Sequence, residues 1–530
     1  MTTIILGLDG ATFDLFEDWL PDLPTINALI DEGTSSTLWS CDPPVTSPAW
    51  RCYATGKDPA SLGVYWWRQL DRKTNTYVGA TDIPLTSKCY WEYLSEEGDS
   101  VAIIGVPLNT PPREVNGHLV AGGPYADPDD YTYPASLQDT LESKFDYQLH
   151  PKVDPPSVDD PTTTGIVDDL EGMIHQRFDV ATWLKETESP DLLNLTLFYI
   201  NHLQHKAWDD DAVKQLWMTV DQRLSELIDD GDDVIIHSDH GLAKTERVFY
   251  LNGWLRREGY LQLRDDTKVN HAAASKVADR YSGLDWTDVV TTAWDTGRST
   301  AQRLGVENLL SNLIPNRVRR SIPNGDSGGR IVDASSFEQR IDFEASDAVA
   351  LPHGLIYVLT DDDARRDELM TALAAVSDGQ TGTSVFTSIE LADDVYSEPI
   401  PQDAPDLIAR WTSGFEIKDI NADEESRVFG PPQKFRADNR PDGTLIAAGP
   451  RIAEDAAINP HLIDLAPTLL HFHGAPIPDD LDGVVLDDLY APESKPAIST
   501  PETIPGEEIR GDRSTSESVE DRLQELGYLE

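Results

Sequence analysis

Three short apolar runs in this 530-residue chain each precede side chains that can bind a metal ion. The runs, with the polar residues that follow them, are Ile4–Leu8 with Asp9, Leu195–Ile200 with Asn201 and His205, and Val234–Ile236 with Asp239 and His240. Runs of this kind are typical of buried strands in a parallel sheet. Because the carboxyl ends of such strands meet at one edge, where open α/β sheets form their sites, we expect these side chains to lie close together.

The third run is the most informative, since Asp239, His240 and Gly241 follow it within a few residues. An Asp-His pair at a strand end has two explanations. It is either a hydrogen-bonded pair in a turn or two ligands to one divalent metal ion. This stretch alone does not distinguish the two explanations. Asp9 favours the metal site only in combination with the other strand ends.

The chain is strongly acidic, with 94 Asp and Glu against 42 Lys and Arg and a formal net charge of -52. Such a charge repels nucleic-acid phosphates and anionic membrane surfaces, so we expect neither a nucleic-acid polymer nor a membrane as partner. It is typical of a halophilic protein, because salt screens the self-repulsion. An acidic ligand-storage protein is the alternative, but the charges are spread along the whole chain.

Cysteine content and hydropathy predict a soluble cytoplasmic protein. Three cysteines, Cys41, Cys52 and Cys89, do not suggest a disulfide framework. The first apolar run lacks a basic region and is too short for a signal sequence, and no stretch of about 18 apolar residues exists. The oligomeric state stays open.

A proline-rich stretch, Pro43–Trp50, leads into a predicted helix with Thr46 and Ser47 at its start. A hydroxyl in this place is commonly a helix cap. The alternative is that the helix N-terminus binds an anion while one hydroxyl, held against a metal ion, acts as a nucleophile.

Taken in order, these motifs resemble the alkaline phosphatase superfamily and, within it, the type I phosphodiesterase/nucleotide pyrophosphatase group. The resemblance extends to about residue 490 and rests on Gly7–Thr12, Pro43–Trp50, Ser238–Gly241, Ala404–Ile408, Gly443–Pro450 and Leu465–Leu470. It implies an α/β, alkaline phosphatase-like three-layer fold with a central, mostly parallel sheet. It also implies a site for two metal ions over the carboxyl edge of that sheet.

The resemblance assigns the ligands of the first ion to Asp9, Asp239, His240 and the nucleophile Thr46. We expect this divalent ion to be zinc, with manganese, magnesium or calcium as alternatives.

The second ion of the family normally binds a carboxylate, a histidine four residues later and a further histidine. The matching residues here are Asn201, His205 and Asn439. An amide oxygen is neutral and suits Ca²⁺ or Mg²⁺ better than Zn²⁺. We therefore expect the second site to be weak, differently loaded or empty, with Asn201 and His205 as its candidate ligands.

The resulting functional hypothesis is a metal-dependent phosphoester hydrolase acting on a small phosphorylated substrate. The resemblance favours a phosphodiesterase or nucleotide pyrophosphatase that forms a threonyl-phosphate at Thr46. The alternative is a protein of the same fold with weakened catalysis that binds a phosphate ligand or has a regulatory role. The two asparagines at the second metal position allow this alternative.

The predicted organisation has four parts. Residues 1–264 form the first part of the core, 265–340 a helical, cap-like insertion, and 341–490 the second part of the core. Residues 491–530 form a flexible acidic linker and a short terminal helix, because Pro, Ser, Thr and Glu dominate there and little apolar area offsets the ordering entropy.

Overall fold

A computed structural model describes residues 2–107, 110–153, 164–264, 337–397, 399–421, 424–432, 435–507 and 509. The insertion predicted over 265–340 lies outside the described residues except for its last four, and so does the predicted terminal helix.

The strands are β1 Thr3–Leu8, β2 Thr34–Trp39, β3 Arg68–Asp71, β4 Thr76–Gly79, β5 Val101–Pro107, β6 Gly117–Gly122, β7 Thr132–Tyr133, β8 Leu192–Leu197, β9 Asp233–His237, β10 Gly241–Lys244, β11 Arg247–Tyr250, β12 Ala348–Leu351, β13 Leu355–Val358, β14 Phe386–Leu391, β15 Leu407–Trp411, β16 Phe415–Lys418, β17 Phe429–Gly430, β18 Ala437–Arg440, β19 Asp442–Ala448, β20 Ile477–Pro478 and β21 Thr503–Ile504.

The α-helices are α1 Phe13–Phe16, α2 Pro24–Glu32, α3 Thr46–Thr55, α4 Pro59–Leu62, α5 Tyr90–Glu97, α6 Ser136–Phe145, α7 Thr164–Glu188, α8 Ile200–Ala207, α9 Asp211–Leu227, α10 Leu251–Arg257, α11 Asp363–Ala374, α12 Ala392–Val395, α13 Leu465–His473 and α14 Lys495–Ile498. Within the described residues, no helix has both the length and the apolar character needed to cross a membrane.

Eight strands form the central sheet in the order β2, β19, β9, β1, β8, β5, β6 and β7. The strands β9, β1, β8, β5 and β6 run parallel to one another. Strand β19 is antiparallel to both of its neighbours, and β7 is antiparallel to β6. The predicted central, mostly parallel sheet is confirmed.

Strand β1 shows why helices must cover both faces of this sheet. All six of its residues are buried, and successive side chains point to opposite faces. Ile4, Leu6 and Leu8 pack in an apolar cluster with α7 and α9, whereas Ile5 packs in a second cluster with α3 and α13. Because burying one such side chain contributes about 1.5–3 kcal/mol, a strand of this composition is stable only between two layers of helices.

The carboxyl ends of the three central strands lie side by side. Leu8 of β1 pairs with Leu197 of β8, and Gly7 pairs with His237 of β9. The residues that follow these strands therefore share one edge of the sheet. Strand β18 reaches the same edge, because it pairs with β10 directly after the His240 turn.

A strand boundary differs from the prediction over Leu195–Ile200. The strand is Leu192–Leu197, and Ile200 is the first residue of α8. Ile200 and Leu203 pack in the core beneath the helix, so this part of the apolar run belongs to a helix face rather than to a strand. The shift places Asn201 and His205 one helical turn apart on α8.

A second, four-stranded antiparallel sheet has the order β12, β13, β15 and β14. Its apolar cluster also contains Trp66, Trp67 and Phe249 from the first half of the chain. The sheet therefore packs against the segments that surround the site. The predicted boundaries at 341 and 490 stay predictions.

The segment after residue 490 is attached to the core over its described part. Strand β21 pairs with β20, and the backbone N–H of Ile477 donates to the carbonyl of Glu502. Ser494 caps α14, and the carbonyl of Pro496 accepts a hydrogen bond from His471. These contacts offset the ordering cost of residues that bury few apolar side chains.

Candidate active site

Asp9, Asp239 and His240 lie together at the carboxyl edge of the central sheet, and all three are fully buried. One ligand atom from each lies within 4.8 Å of the others. His240 Nε2 is 3.4 Å from Asp239 Oδ2 and 3.7 Å from Asp9 Oδ1. The structure thus brings together three predicted ligands from residues far apart in the sequence.

The hydroxyl of Thr46 points to the same cluster, with its Oγ1 3.0 Å from His240 Nε2. His240 Nδ1 lies 2.9 Å from the carbonyl of Gly241, which can only accept, so the ring proton is on Nδ1. Nε2 then offers a lone pair to the Thr46 hydroxyl. Val45 occupies the cap position of α3 and Thr46 is its first helical residue, which removes the capping explanation for this hydroxyl.

Among the described residues, no lysine or arginine pairs with the two carboxyl groups of the cluster. Burial raises the pKa of Asp9 well above its usual range, and repulsion from Asp239 raises it further. Burial also raises the pKa of Asp239 to about 8, although the backbone N–H of Gly10 donates to its Oδ1. Burial lowers the pKa of His240 to about 4, which keeps the imidazole neutral. A divalent cation would supply the charge that this arrangement lacks.

Two neutral donors orient the Asp9 carboxylate. The indole Nε1 of Trp50 donates to Oδ2 at 2.8 Å, and the side-chain amide of Asn201 donates to Oδ1 at 2.5 Å. Oxygen Oδ2 of Asp239 accepts no hydrogen bond from the part of the chain that the structure describes. Such partners around a ligating carboxylate hold it in place for a metal ion.

Gly10 is required by its backbone conformation and by the side chain next to it. Its φ of +69° lies in the left-handed region, and a Cβ there would come within 2.4 Å of Asn201 Oδ1. The turn after β1 can therefore approach α8 closely, which lets Asn201 reach Asp9.

The cluster fits the first ion that the family implies. Two carboxylates, one imidazole nitrogen and the Thr46 hydroxyl form a set of four donors. Oxygen Oδ2 of Asp239, which accepts no hydrogen bond from the described residues, lies 3.4 Å from His240 Nε2. Nitrogen and carboxylate donors suit Zn²⁺ and also Mn²⁺, so the set alone does not identify the metal.

The residues of the second position fit a further zinc ion poorly. His205 has its Nδ1 2.8 Å from the carbonyl of Ala437, and Asn439 donates its amide to the carbonyl of Pro44 at 2.9 Å. Asn201 turns its NH₂ toward Asp9 and donates to Oδ1 at 2.5 Å. The three positions supply one imidazole, two amides and no carboxylate.

A pocket adjoins this second position. Its walls include Val45, His205 and Asn439 from the side of the site, and Trp67, His353 and Lys418 from the side of the second sheet. Burial lowers the pKa of His205 to about 4, so its ring is neutral in the pocket wall.

The architecture and this site define an α/β protein of the alkaline phosphatase type, with a helix-borne threonine beside a buried Asp, Asp and His cluster. The chain belongs to the type I phosphodiesterase/nucleotide pyrophosphatase family, whose model matches residues 3–321. Family membership, predicted from the motifs, is confirmed. It places the chain among the phosphoester hydrolases of the alkaline phosphatase superfamily.

Solved structures support the fold at low sequence identity. The chain is similar to phosphonoacetate hydrolase from Sinorhizobium meliloti 1021, with a TM-score of 0.52 and 13% identity over 88% of this chain and 94% of that one. It is also similar to human ectonucleotide pyrophosphatase/phosphodiesterase 5, with a TM-score of 0.50 and 12% identity over 92% and 100% of the chains. No curated protein sequence matches the chain.

Sequence reasoning did not foresee the contribution of Trp50 and His353. Trp50 lies four residues after Thr46, so helical spacing places the two side chains on the same face of α3. His353 lies in Pro352-His353-Gly354, which reads only as a turn, and no local signal points to a site.

Proposed function

We propose that this chain hydrolyses small phosphodiesters or nucleotide pyrophosphates with Thr46 as the nucleophile. The observation that carries the proposal is the 3.0 Å distance from Thr46 Oγ1 to His240 Nε2, next to the carboxylates of Asp9 and Asp239. We further propose that Asp9, Asp239, His240 and Thr46 hold one divalent ion, with zinc favoured and manganese, magnesium and calcium as alternatives.

A divalent ion in this place supplies charge that lowers the pKa of the Thr46 hydroxyl and neutralises phosphoryl oxygens. Thr46 loses its proton to solvent and its Oγ1 attacks phosphorus, so that an Oγ1–P bond forms while the bond to the leaving oxygen breaks. Water then attacks the threonyl-phosphate, the Oγ1–P bond breaks, and Thr46 takes up a proton. The N-terminus of α3 favours the negative charge of the phosphoryl group throughout.

Charge favours a diester as substrate. A diester carries one negative charge fewer than a monoester and needs less cationic compensation, which matters where the second position holds amides. The net charge of -52 disfavours polymeric nucleic acid, which supports a small phosphorylated molecule as substrate. It also supports a high-salt cytoplasm as the place where the protein works.

A second candidate is a phosphate-binding or regulatory protein with little turnover. Asn201 and Asn439 favour it, because they remove two charged or strongly ligating groups from the side where the leaving oxygen departs. Under this candidate the pocket binds a phosphorylated ligand and the threonine stays unmodified.

Release of 4-nitrophenol from bis(4-nitrophenyl) phosphate in molar potassium chloride tests the proposal, with Zn²⁺, Mn²⁺, Mg²⁺ or Ca²⁺ added to chelator-treated protein. We expect turnover that depends on one of these metals. Thr46→Ala should abolish it, and Ser47→Ala is the matched control, because the Ser47 hydroxyl faces the carbonyl of Trp66.

Equal loss in both variants, or no loss in either, would contradict Thr46 as the nucleophile. No turnover with any of the four metals, combined with phosphate binding by calorimetry, would favour the second candidate. Intact-mass analysis of acid-quenched enzyme adds an independent readout, since a threonyl-phosphate adds the mass of one phosphoryl group to wild type and not to Thr46→Ala.

A further inference from the structure

His353 has an unusual backbone conformation in the wall of the pocket. It lies in the turn between β12 and β13 with φ of +60°, in the left-handed region that favours glycine. Its backbone N–H donates to the carbonyl of Ile417 at 3.0 Å, and a Cβ on the next residue, Gly354, would come within 2.1 Å of the carbonyl of Ala409. Contacts with β16 and β15 therefore hold this turn in place, and residues in this backbone region concentrate at functional sites.

The imidazole of His353 faces the carboxylate of Asp438 on β18. Its Nε2 is 3.5 Å from Asp438 Oδ1, and its ring packs edge-on against Trp411. Neither ring nitrogen forms a hydrogen bond with the residues that the structure describes, and Asp438 Oδ2 also has no such partner. Asp438 is 5% exposed, so this carboxylate interacts with His353 in a largely water-free setting.

His353 lies on the side of the site where the second position is incomplete. It lines the same pocket as His205 and Asn439, next to Val45 at the start of α3. The ring of His353 thus lines the same pocket as the residue that precedes Thr46.

We propose that His353, held by Asp438, is the general acid that protonates the leaving oxygen, a role that rests on the proposed function. As the P–O bond breaks, its electron pair stays on the leaving oxygen and a proton moves from the His353 ring to that oxygen. When water later attacks the threonyl-phosphate, His353 takes the proton that this water loses. The dyad thereby stabilises the leaving group where the asparagines provide no second zinc site.

The charged groups around the imidazole are consistent with this assignment. Besides His353, the titratable side chains that line this pocket are Asp438, Glu416, Asp419, Lys418, Arg68 and His205. Among these lining side chains three carboxylates face two cations, and the imidazole of His205 is neutral because burial lowers its pKa.

The leaving-group dependence of the rate tests this role. Methyl aryl phosphodiesters are compared whose leaving groups range from 4-nitrophenol, which departs without protonation, to phenol, which needs it. His353→Asn should lower kcat/KM by about 100-fold for the phenyl ester and far less for the nitrophenyl ester. The plot of log kcat/KM against leaving-group pKa therefore becomes steeper. Asparagine is chosen because it tolerates the left-handed conformation.

His461→Asn is the matched control, because this exposed histidine undergoes the same substitution. Asp438→Asn should steepen the same plot to a smaller extent. An unchanged slope in His353→Asn, whether or not the rates fall, overturns the assignment. If wild type hydrolyses none of the esters, the proposed function itself fails, and the two failures are thereby distinguished.

Discussion

The side-chain amide of Asn201 donates a hydrogen bond to Asp9 across 2.5 Å, at a position where the family pattern has a carboxylate. A carboxylate at this distance from Asp9 would repel it unless a cation lay between them. The asparagine therefore stabilises its contact with Asp9 when no metal is bound. It also leaves the second metal position without a charged ligand.

Asn201→Asp should convert this hydrogen bond into a metal-dependent contact. Without metal, we expect a loss of about 1–3 kcal/mol in the free energy of unfolding, because two buried carboxylates then face each other. With saturating Mn²⁺ most of this loss should be recovered, and the number of ions bound per chain should rise. Thermal unfolding in chelator and in Mn²⁺, with metal content by mass spectrometry, measures both effects.

Asn194→Asp is the matched control for that substitution. Asn194 is equally buried, but its amide donates to the hydroxyl groups of Tyr53 and Tyr90. We expect destabilisation that Mn²⁺ does not relieve. Equal metal rescue of both variants would contradict the assignment of Asn201 to the metal-binding region.

The raised pKa of Asp239 makes the stability of the metal-free protein pH-dependent. Since this pKa is about 8 in the folded chain and lower in the unfolded one, the folded state holds the proton more tightly. The associated stability is complete below about pH 4, the ordinary aspartate pKa, and is lost as the pH rises through the folded value. Asp239→Asn cannot lose a proton there, so its stability relative to wild type should increase with pH.

Urea unfolding in chelator and molar salt measures this difference between pH 5 and about pH 8. We expect up to about 1.4 kcal/mol per pH unit over part of the range. With saturating divalent metal, the stability of wild type should instead increase with pH, because the ion favours the ionised carboxylate. Parallel pH curves for the two proteins in chelator would rule out a raised pKa at Asp239.

Trp50→Phe should weaken metal binding without removing a ligand. The substitution deletes the 2.8 Å hydrogen bond that holds Asp9 Oδ2, and loss of such a partner typically lowers metal affinity by about 10-fold or more. Titration calorimetry with Mn²⁺ measures the change. In Trp91→Phe the lost indole N–H has no partner among the described residues, so this equally buried control should keep its affinity.

Asn252→Ala should destabilise the contact between α10 and the second sheet. The Asn252 side chain donates to the carbonyl of Ala350 and accepts from its N–H, both at 2.8 Å. Removing it leaves a buried backbone donor and acceptor unpaired, which should lower the free energy of unfolding by about 2–4 kcal/mol. In the control Asn27→Ala the lost hydrogen bond to Asp31 is exposed, so urea unfolding should detect little change.

Sequence periodicity predicted the central sheet because each buried strand is an uninterrupted apolar run between helices. Helix α2, Pro24–Glu32, is also readable from local sequence, because it begins at a proline and ends before Gly33. The run at Leu195–Ile200 was the exception, because its last apolar residue packs from a helix. Local sequence does not distinguish a strand end from a helix start when both bury the same side chains.

The sequence by itself determined the family, the central sheet and which polar residues follow its strands, because these depend on the order of residues along the chain. Only the tertiary structure decided that Thr46 faces His240, that Asn201 turns its amide toward Asp9 and that His353 meets Asp438. These contacts join residues about 85 to 195 positions apart. They depend on how two sheets and their helices pack against each other, and no local propensity encodes that arrangement.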